Sequence, residues 1–193
     1  MQEGNITVDG KTRKVPEPFL VVATQNPIGT AGTQMLPEAQ LDRFMAQLSI
    51  GYPGKEAEMK ILMDRKNEDP MDKVISIVNR ENLVEMKNKV KEVFVHEKMY
   101  EYITDLVRGT RENELIKMGI SPRGAISICA MGQAWAFMHG RNYVIPQDIR
   151  DIFFDAVCHR ILISPKAHAQ GKSIYEILSE LVAATKIPGV TKE

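Results

Sequence analysis

The spacing of hydrophobic positions changes period near residue 53. Before it the pattern is of the β type. Ile6-Thr7-Val8, then Asp9-Gly10, then Lys11 to Val15 predicts a hairpin whose Asp-Gly supplies the positive-φ positions of a type I′ turn. Phe19 to Ala23 is a run of five apolar residues without alternation, which predicts a central strand buried on both faces of a parallel sheet. A short helix from Pro37 to about Met45, with Leu41, Phe44 and Met45 on its apolar side, leads to a further predicted strand over Leu48 to Tyr52, closed by Pro53-Gly54.

Beyond Pro53 the period is 3.6. Residues 55–66 carry Met59, Leu62 and Met63 on one face, and residues 82–92 carry Leu83, Met86 and Val90, with a loop predicted over 68–80. Residues 97–109 give the cleanest helix, with Met99, Tyr102, Ile103, Leu106 and Val107 at i, i+3, i+4, i+7 and i+8. Ser121-Pro122, an N-cap with proline at the first helical position, opens a helix with Ile126, Cys129, Ala130, Gln133, Ala134 and Phe137 inward and Gly140 as its stop. Pro146 opens another, carrying Ile149, Ile152, Phe153, Ala156 and Val157. Ser173-x-x-Glu176 is a capping box before Ile177, Leu178, Leu181 and Val182, with Pro188 beyond the end. The fold class is thus a fragment of an α/β sheet followed by a mostly α bundle.

Composition narrows the function classes. Lys+Arg and Asp+Glu both number 25, so the formal net charge is zero, which argues against a broad nucleic-acid or anionic-membrane surface. No apolar run approaches the roughly 18 residues that span a bilayer, and Met1 to Asn5 have no signal-peptide character, so a cytoplasmic protein is expected. Cys129 and Cys158 form no C-x-x-C and read as small hydrophobes of a reducing compartment. His96, His139, His159 and His168 are scattered, which gives no metal site.

Three polar residues stand out. Asn26 follows the predicted buried strand, at the carboxyl edge where open α/β sheets bind ligands, although Asn-Pro also begins ordinary turns. Arg43 sits beside Asp42 on the short helix, where composition alone reads as a solvated charge pair. Arg123 lies in the first turn behind Ser121-Pro122, where free N–H groups and the helix dipole favour an anion and a guanidinium can share a phosphate. A phosphate loop, G-x-x-x-x-G-K-S/T, is absent. Gly10-Lys11-Thr12 has Gly4 one residue too far upstream, and Gly171-Lys172-Ser173 has Lys166 where the first glycine belongs.

The order of these features resembles the MoxR family of AAA+ ATPases over nearly the whole chain. Phe19 to Pro27 followed by Leu36-Pro37-Glu38-Ala39-Gln40-Leu41-Asp42-Arg43-Phe44 resembles the family's sensor 1 strand and arginine-finger helix, and Ser121-Pro122-Arg123 resembles its sensor 2. Gly140 to Val144 and His159-Arg160-Ile161 are similar to its helical lid. Gly124 stands where relatives usually have alanine.

The resemblance implies a P-loop ATPase core fragment over 1–53 and a helical lid with sensor 2 over 54–193. It implies that Asn26 orients the attacking water, that Arg43 acts in trans as an arginine finger, and that Arg123 touches the ATP phosphates in cis. It further implies ATP and Mg²⁺ bound mainly outside these residues, a homo-oligomeric ring such as a hexamer, von Willebrand factor A domain partners, and chaperone-like remodelling of protein complexes. Neither nucleic acid nor membrane is an expected partner. Without its phosphate loop and acidic Mg²⁺ motif the chain is expected to be an inactive fragment. The competing class is a non-enzymatic helical interaction or regulatory module.

Overall fold

The computed structural model describes residues 4–25, 36–64 and 69–189. By internal contacts they fall into two units, one of Met1–Asn26 with Ser49–Asn88 and the other of Pro27–Leu48 with Lys89–Glu193.

In the first unit β1 (Asn5–Val8) pairs antiparallel with β2 (Lys11–Lys14), Asn5 opposite Lys14 and Val8 opposite Lys11. Asp9 at φ 51° and Gly10 at φ 72° make the turn as predicted, and the Val15 N–H closes the hairpin on the Gly4 carbonyl at 2.7 Å. Helix α2 (Lys55–Asp64), a 3₁₀ turn at Pro70–Lys73 and the beginning of α3 (Arg80–Lys91) complete the unit. The Arg80 Nε–H donates to the Glu17 carbonyl.

Two strands expected from the sequence do not form. Phe19–Ala23 and Leu48–Tyr52 carry no regular structure, and Leu20 is 82% and Ile50 100% exposed. A central parallel strand needs a neighbour for its N–H and C=O groups and cover on both faces. The described strands form only two short antiparallel pairs, so nothing supplies either requirement. The same lack of cover leaves Met59, Leu62 and Met63 of α2 and Leu83 and Met86 of α3 exposed, although both helices form where their period places them.

The second unit holds the core. Helix α1 (Glu38–Leu41) is a single turn, shorter than the predicted 37–45. Helices α4 (Glu97–Glu112), α5 (Pro122–Met138), α6 (Pro146–Val157), α7 (Pro165–Ala169) and α8 (Ile174–Ala184) pack around one cluster, with β3 (Ile116–Met118) antiparallel to β4 (Leu162–Ile163) at its edge. The predicted inward faces of α4, α6 and α8 are the buried ones. Met99, Leu106, Ile149, Phe153 and Leu178 are fully buried, each contributing roughly 1.5–3 kcal/mol of apolar burial. Helix α5 keeps Cys129 and Phe137 of its expected face packed against the core, but Ile126 is 71% exposed, and the buried positions are Gly124, Ser127, Ile128, Gly132 and Ala136. Apolar residues surround nearly the whole of this helix, so period alone does not select a face; its small residues do, because they admit neighbours closely. A Cβ on Gly132 would lie 2.5 Å from Ile149 Cδ1.

The entry to α5 is locked onto the end of α4. The buried Thr110 hydroxyl donates to the Val107 carbonyl at 2.6 Å and accepts the Ile120 N–H at 3.0 Å, while Arg111 Nε donates to the Ile120 carbonyl at 2.8 Å. Gly119 lies so close that an added Cβ would be 2.9 Å from the Arg111 nitrogen and the Thr110 carbonyl carbon. Backbone cannot rotate away as a side chain can. Gly119→Ala is therefore expected to destabilise the chain by about 1–3 kcal/mol, read as a lower urea midpoint at unchanged slope.

Candidate functional site

The site is built where residues 42–45 lie against the start of α5 and the end of α6. Ser121 caps α5: its Oγ accepts the Gly124 N–H at 3.2 Å, and Pro122 occupies the first helical position as the sequence predicts. The same hydroxyl meets the two Asp42 carboxylate oxygens at 2.9 and 3.0 Å, so it donates to Asp42 while capping the helix. Arg123 follows within that first turn, with its Nη1 3.9 Å from Asp42 Oδ2.

Arg160 fastens the other side. It lies in the 3₁₀ turn Cys158–Arg160 after α6, and its side chain is 1% exposed. Nε donates to Asp42 Oδ1 at 3.1 Å. Nη2 donates to the Phe44 carbonyl at 2.6 Å, and to the Asp42 carbonyl and Ser127 Oγ at 3.2 Å each. Nη1 donates to the Met45 carbonyl at 3.3 Å and to the Ala156 carbonyl. The five N–H donors of the guanidinium thus all have acceptors. This matters because a buried cation without partners costs several kcal/mol. Burial pulls the Arg160 pKa down from its ordinary value, and the hydrogen bond and charge of Asp42 oppose it.

Two further bonds complete the attachment. His159 Nε2 lies 3.0 Å from the Phe44 carbonyl, and the Gln47 N–H donates to the Asp155 carbonyl at 2.9 Å. Because a carbonyl only accepts, Nε2 carries the proton, and the buried Nδ1 has no hydrogen-bond partner among the described residues. Gly124 makes room for the arrangement: a Cβ there would lie 2.4 Å from Ile120 Cγ2 and 3.2 Å from Arg160 Cδ.

Of the three residues singled out in the sequence, the structure brings two into this neighbourhood. Arg43, between Asp42 and Phe44 of the fastened turn, is exposed, and Arg123 is partly exposed. Asn26 lies outside the described residues. An accessible guanidinium in the first turn of a long helix suits a phosphate oxygen. For Mg²⁺ the described residues offer no group of three His, Cys, Asp or Glu. The false phosphate loops are accounted for: Gly10 turns the hairpin, Ser173 caps α8 in a capping box with Glu176, and Lys172 Nζ pairs with Glu180 at 2.7 Å.

Sequence reasoning missed Asp42 and Arg160. Asp42 reads as half of a solvated pair, yet it is the anion that Arg160 and Ser121 share. Arg160 carries one local signal, a cation set between Ala156-Val157-Cys158 and Ile161-Leu162-Ile163, where apolar flanks on both sides imply burial.

Two family models match the chain. Residues 1–46 match a family model described as ATPase family associated with various cellular activities (AAA), and residues 108–181 match one described as AAA lid domain. The chain is 37% identical over 188 residues to the uncharacterized protein YeaC of Bacillus subtilis, covering 97% of this chain and 59% of that protein. It is 34% identical over 199 residues to chaperone MoxR1 of Mycobacterium tuberculosis, covering 98% of this chain and 52% of that one. A crystal structure of a candidate ATPase from Cytophaga hutchinsonii superposes with a TM-score of 0.87 at 34% identity, covering 97% of this chain and 60% of that chain. Fold and matches together define a mostly helical portion of an AAA-type ATPase, a fragment of a P-loop core followed by a helical lid. The chain belongs to the MoxR family of AAA+ ATPases, and it spans between about half and three-fifths of the length of these relatives. Among the described residues no helix is long and apolar enough to cross a membrane.

The half-buried His159 gives the site a pH signature. Burial is the chief cause that lowers the His159 pKa below 6.5, and the charge of Arg160 adds to it; the Phe44 hydrogen bond and Asp42 work against them. With the folded pKa below the unfolded one, the unfolded chain takes up the proton first as pH falls. Stability is therefore complete above about pH 6.5 and declines as pH drops through the folded value. Urea unfolding between about pH 7 and pH 5 is expected to show this loss, and His159→Gln, which keeps a donor for the Phe44 carbonyl, to flatten it.

Proposed function

We propose that the chain is the portion of an ATP-binding, ATP-hydrolysing MoxR-type ATPase that senses nucleotide in cis and acts on the neighbouring subunit in trans. The observation that carries this reading is the fastened turn: Arg43 projects exposed from a segment held by Arg160, and the same Asp42 carboxylate reaches the cap of the helix whose first turn carries Arg123. Such an arginine is held by its backbone while its side chain stays accessible. That is what a finger reaching across a subunit boundary requires, and charge placed on the equatorial oxygens of a transferring phosphoryl group can supply roughly 10³–10⁵ in rate.

In this reading residues 1–53 end the ATPase core and 54–193 form the lid. Arg123 contacts ATP phosphates from the lid, Asn26 orients the attacking water, and Arg43 serves the adjacent active site. Mg²⁺ and the β-phosphate are held by a phosphate loop and acidic pair from outside these 193 residues, so the chain by itself hydrolyses no ATP. The working form is a homo-oligomeric ring, a hexamer, that remodels or matures protein complexes in the cytoplasm with von Willebrand factor A domain partners. The name of the mycobacterial relative, chaperone MoxR1, supports the chaperone-like role.

The test uses the whole ring-forming ATPase. Arg43→Ala is expected to lower hydrolysis by at least about 10³-fold, with affinity for a fluorescent ATP analogue nearly unchanged. Equal loss of binding and turnover in a normally assembled ring would contradict a finger acting in trans.

A further inference from the structure

The main chain at Arg43 and the main chain at Arg123 are tied to the same buried group. Arg160 Nη2 donates to the Asp42 and Phe44 carbonyls, on either side of Arg43, at 3.2 and 2.6 Å. It also donates to Ser127 Oγ at 3.2 Å, and that hydroxyl donates to the Arg123 carbonyl at 3.2 Å. Ser121 joins the two segments a second time. Its Oγ meets the Asp42 carboxylate at 2.9 and 3.0 Å and accepts the Gly124 N–H at 3.2 Å, within the turn that carries Arg123. By internal contacts Pro27–Leu48 accordingly belongs with Lys89–Glu193 and not with the hairpin unit, although sequence order sets it ahead of the lid.

We propose that Ser121 is a positioning residue that makes the Arg43 turn part of the lid, so that a movement of α5 toward bound ATP carries Arg43 with it. The proposal rests on the roles of Arg123 and Arg43 in the proposed ATPase. Its physical basis is stiffness: a turn bonded to α5 and to the end of α6 moves with those helices as one rigid body. The link runs through the first turn of α5 itself, so it requires no contact of the Arg123 side chain to break. Occupancy of one site then sets where the finger stands for the next, a coupling between two distinct sites through one shared body.

The test separates affinity from turnover in the whole ring-forming ATPase. Ser121→Gly removes the hydroxyl, while glycine at an N-cap weakens the helix start very little. ATP affinity is expected to stay within about twofold and kcat to fall about tenfold, the scale of one hydrogen bond to a charged group. In the unaltered ring, amide exchange of peptides covering 38–48 is expected to slow on addition of a non-hydrolysable ATP analogue, as Arg43 engages the neighbouring site. Ser121→Gly should lose that response. Ser121→Thr, whose hydroxyl can cap and donate in the same way, should restore both the response and kcat. Unchanged kcat in Ser121→Gly, a parallel fall of affinity and kcat, a ring that no longer assembles, or exchange in 38–48 that ignores the nucleotide in the unaltered ring would each overturn the proposal. If instead Arg43→Ala and Arg123→Ala leave hydrolysis and ATP affinity intact, the underlying assignment fails, while the exchange of 38–48 still decides whether the turn follows the lid.

Discussion

A guanidinium buried as deeply as that of Arg160 can remain only if acceptors surround it, and here they come mostly from a segment more than a hundred residues earlier in the chain. Asp42 supplies the counter-charge, and the carbonyls of Asp42, Phe44 and Met45 supply most of the remaining acceptors. The penalty for leaving that cation unpaired is several kcal/mol, comparable to the stability of a small domain. Residues 42–45 therefore have little freedom to lie elsewhere. Arg43 takes its position from this constraint, since its neighbours on both sides accept bonds from Arg160. Ser121 extends the constraint to α5, because the hydroxyl that donates to Asp42 also caps the helix on which Arg123 sits.

How much of this could be read in advance depends on the range of the forces involved. Helices α4, α6 and α8 are legible because each has one apolar face, to which α6 adds Pro146 at its first position and α8 the capping box of Ser173 with Glu176, and these signals are local. Phe19–Ala23 looks like a buried strand because its composition suits one, but burial needs partners and pattern cannot supply them. Ile126 misleads for a related reason: on a helix apolar nearly all round, Gly124, Gly132 and Ala136 decide the buried face by allowing close approach. The partnership of Asp42 with Arg160 spans 118 positions, and no local period reports it. Resemblance supplied the candidate roles of Arg43 and Arg123; the structure supplied the carboxylate between them.

A chain of zero net charge can still be specialised for phosphate if a few charges are placed firmly enough. Firm placement comes from groups that touch no nucleotide in the proposed mechanism: a buried arginine, a shared carboxylate, a serine cap and a half-buried histidine. Gly119 and Thr110 have the same role at one remove, since they lock the approach to α5 onto α4. For Arg43 the division is physically sensible, because an exposed side chain that must reach outward takes its position from its backbone.

The central claim is that Arg160 fixes the 42–45 turn on the helical unit. Amide hydrogen exchange, compared between the chain and its Arg160→Met variant, tests it most directly. The Phe44 and Gln47 N–H groups donate to the Leu41 and Asp155 carbonyls at 3.0 and 2.9 Å, so both should be protected while the turn is held. The account predicts that peptides covering 38–48 lose protection in the variant while those of α4 keep theirs. Unchanged exchange in 38–48, with α4 equally protected in both proteins, would contradict it.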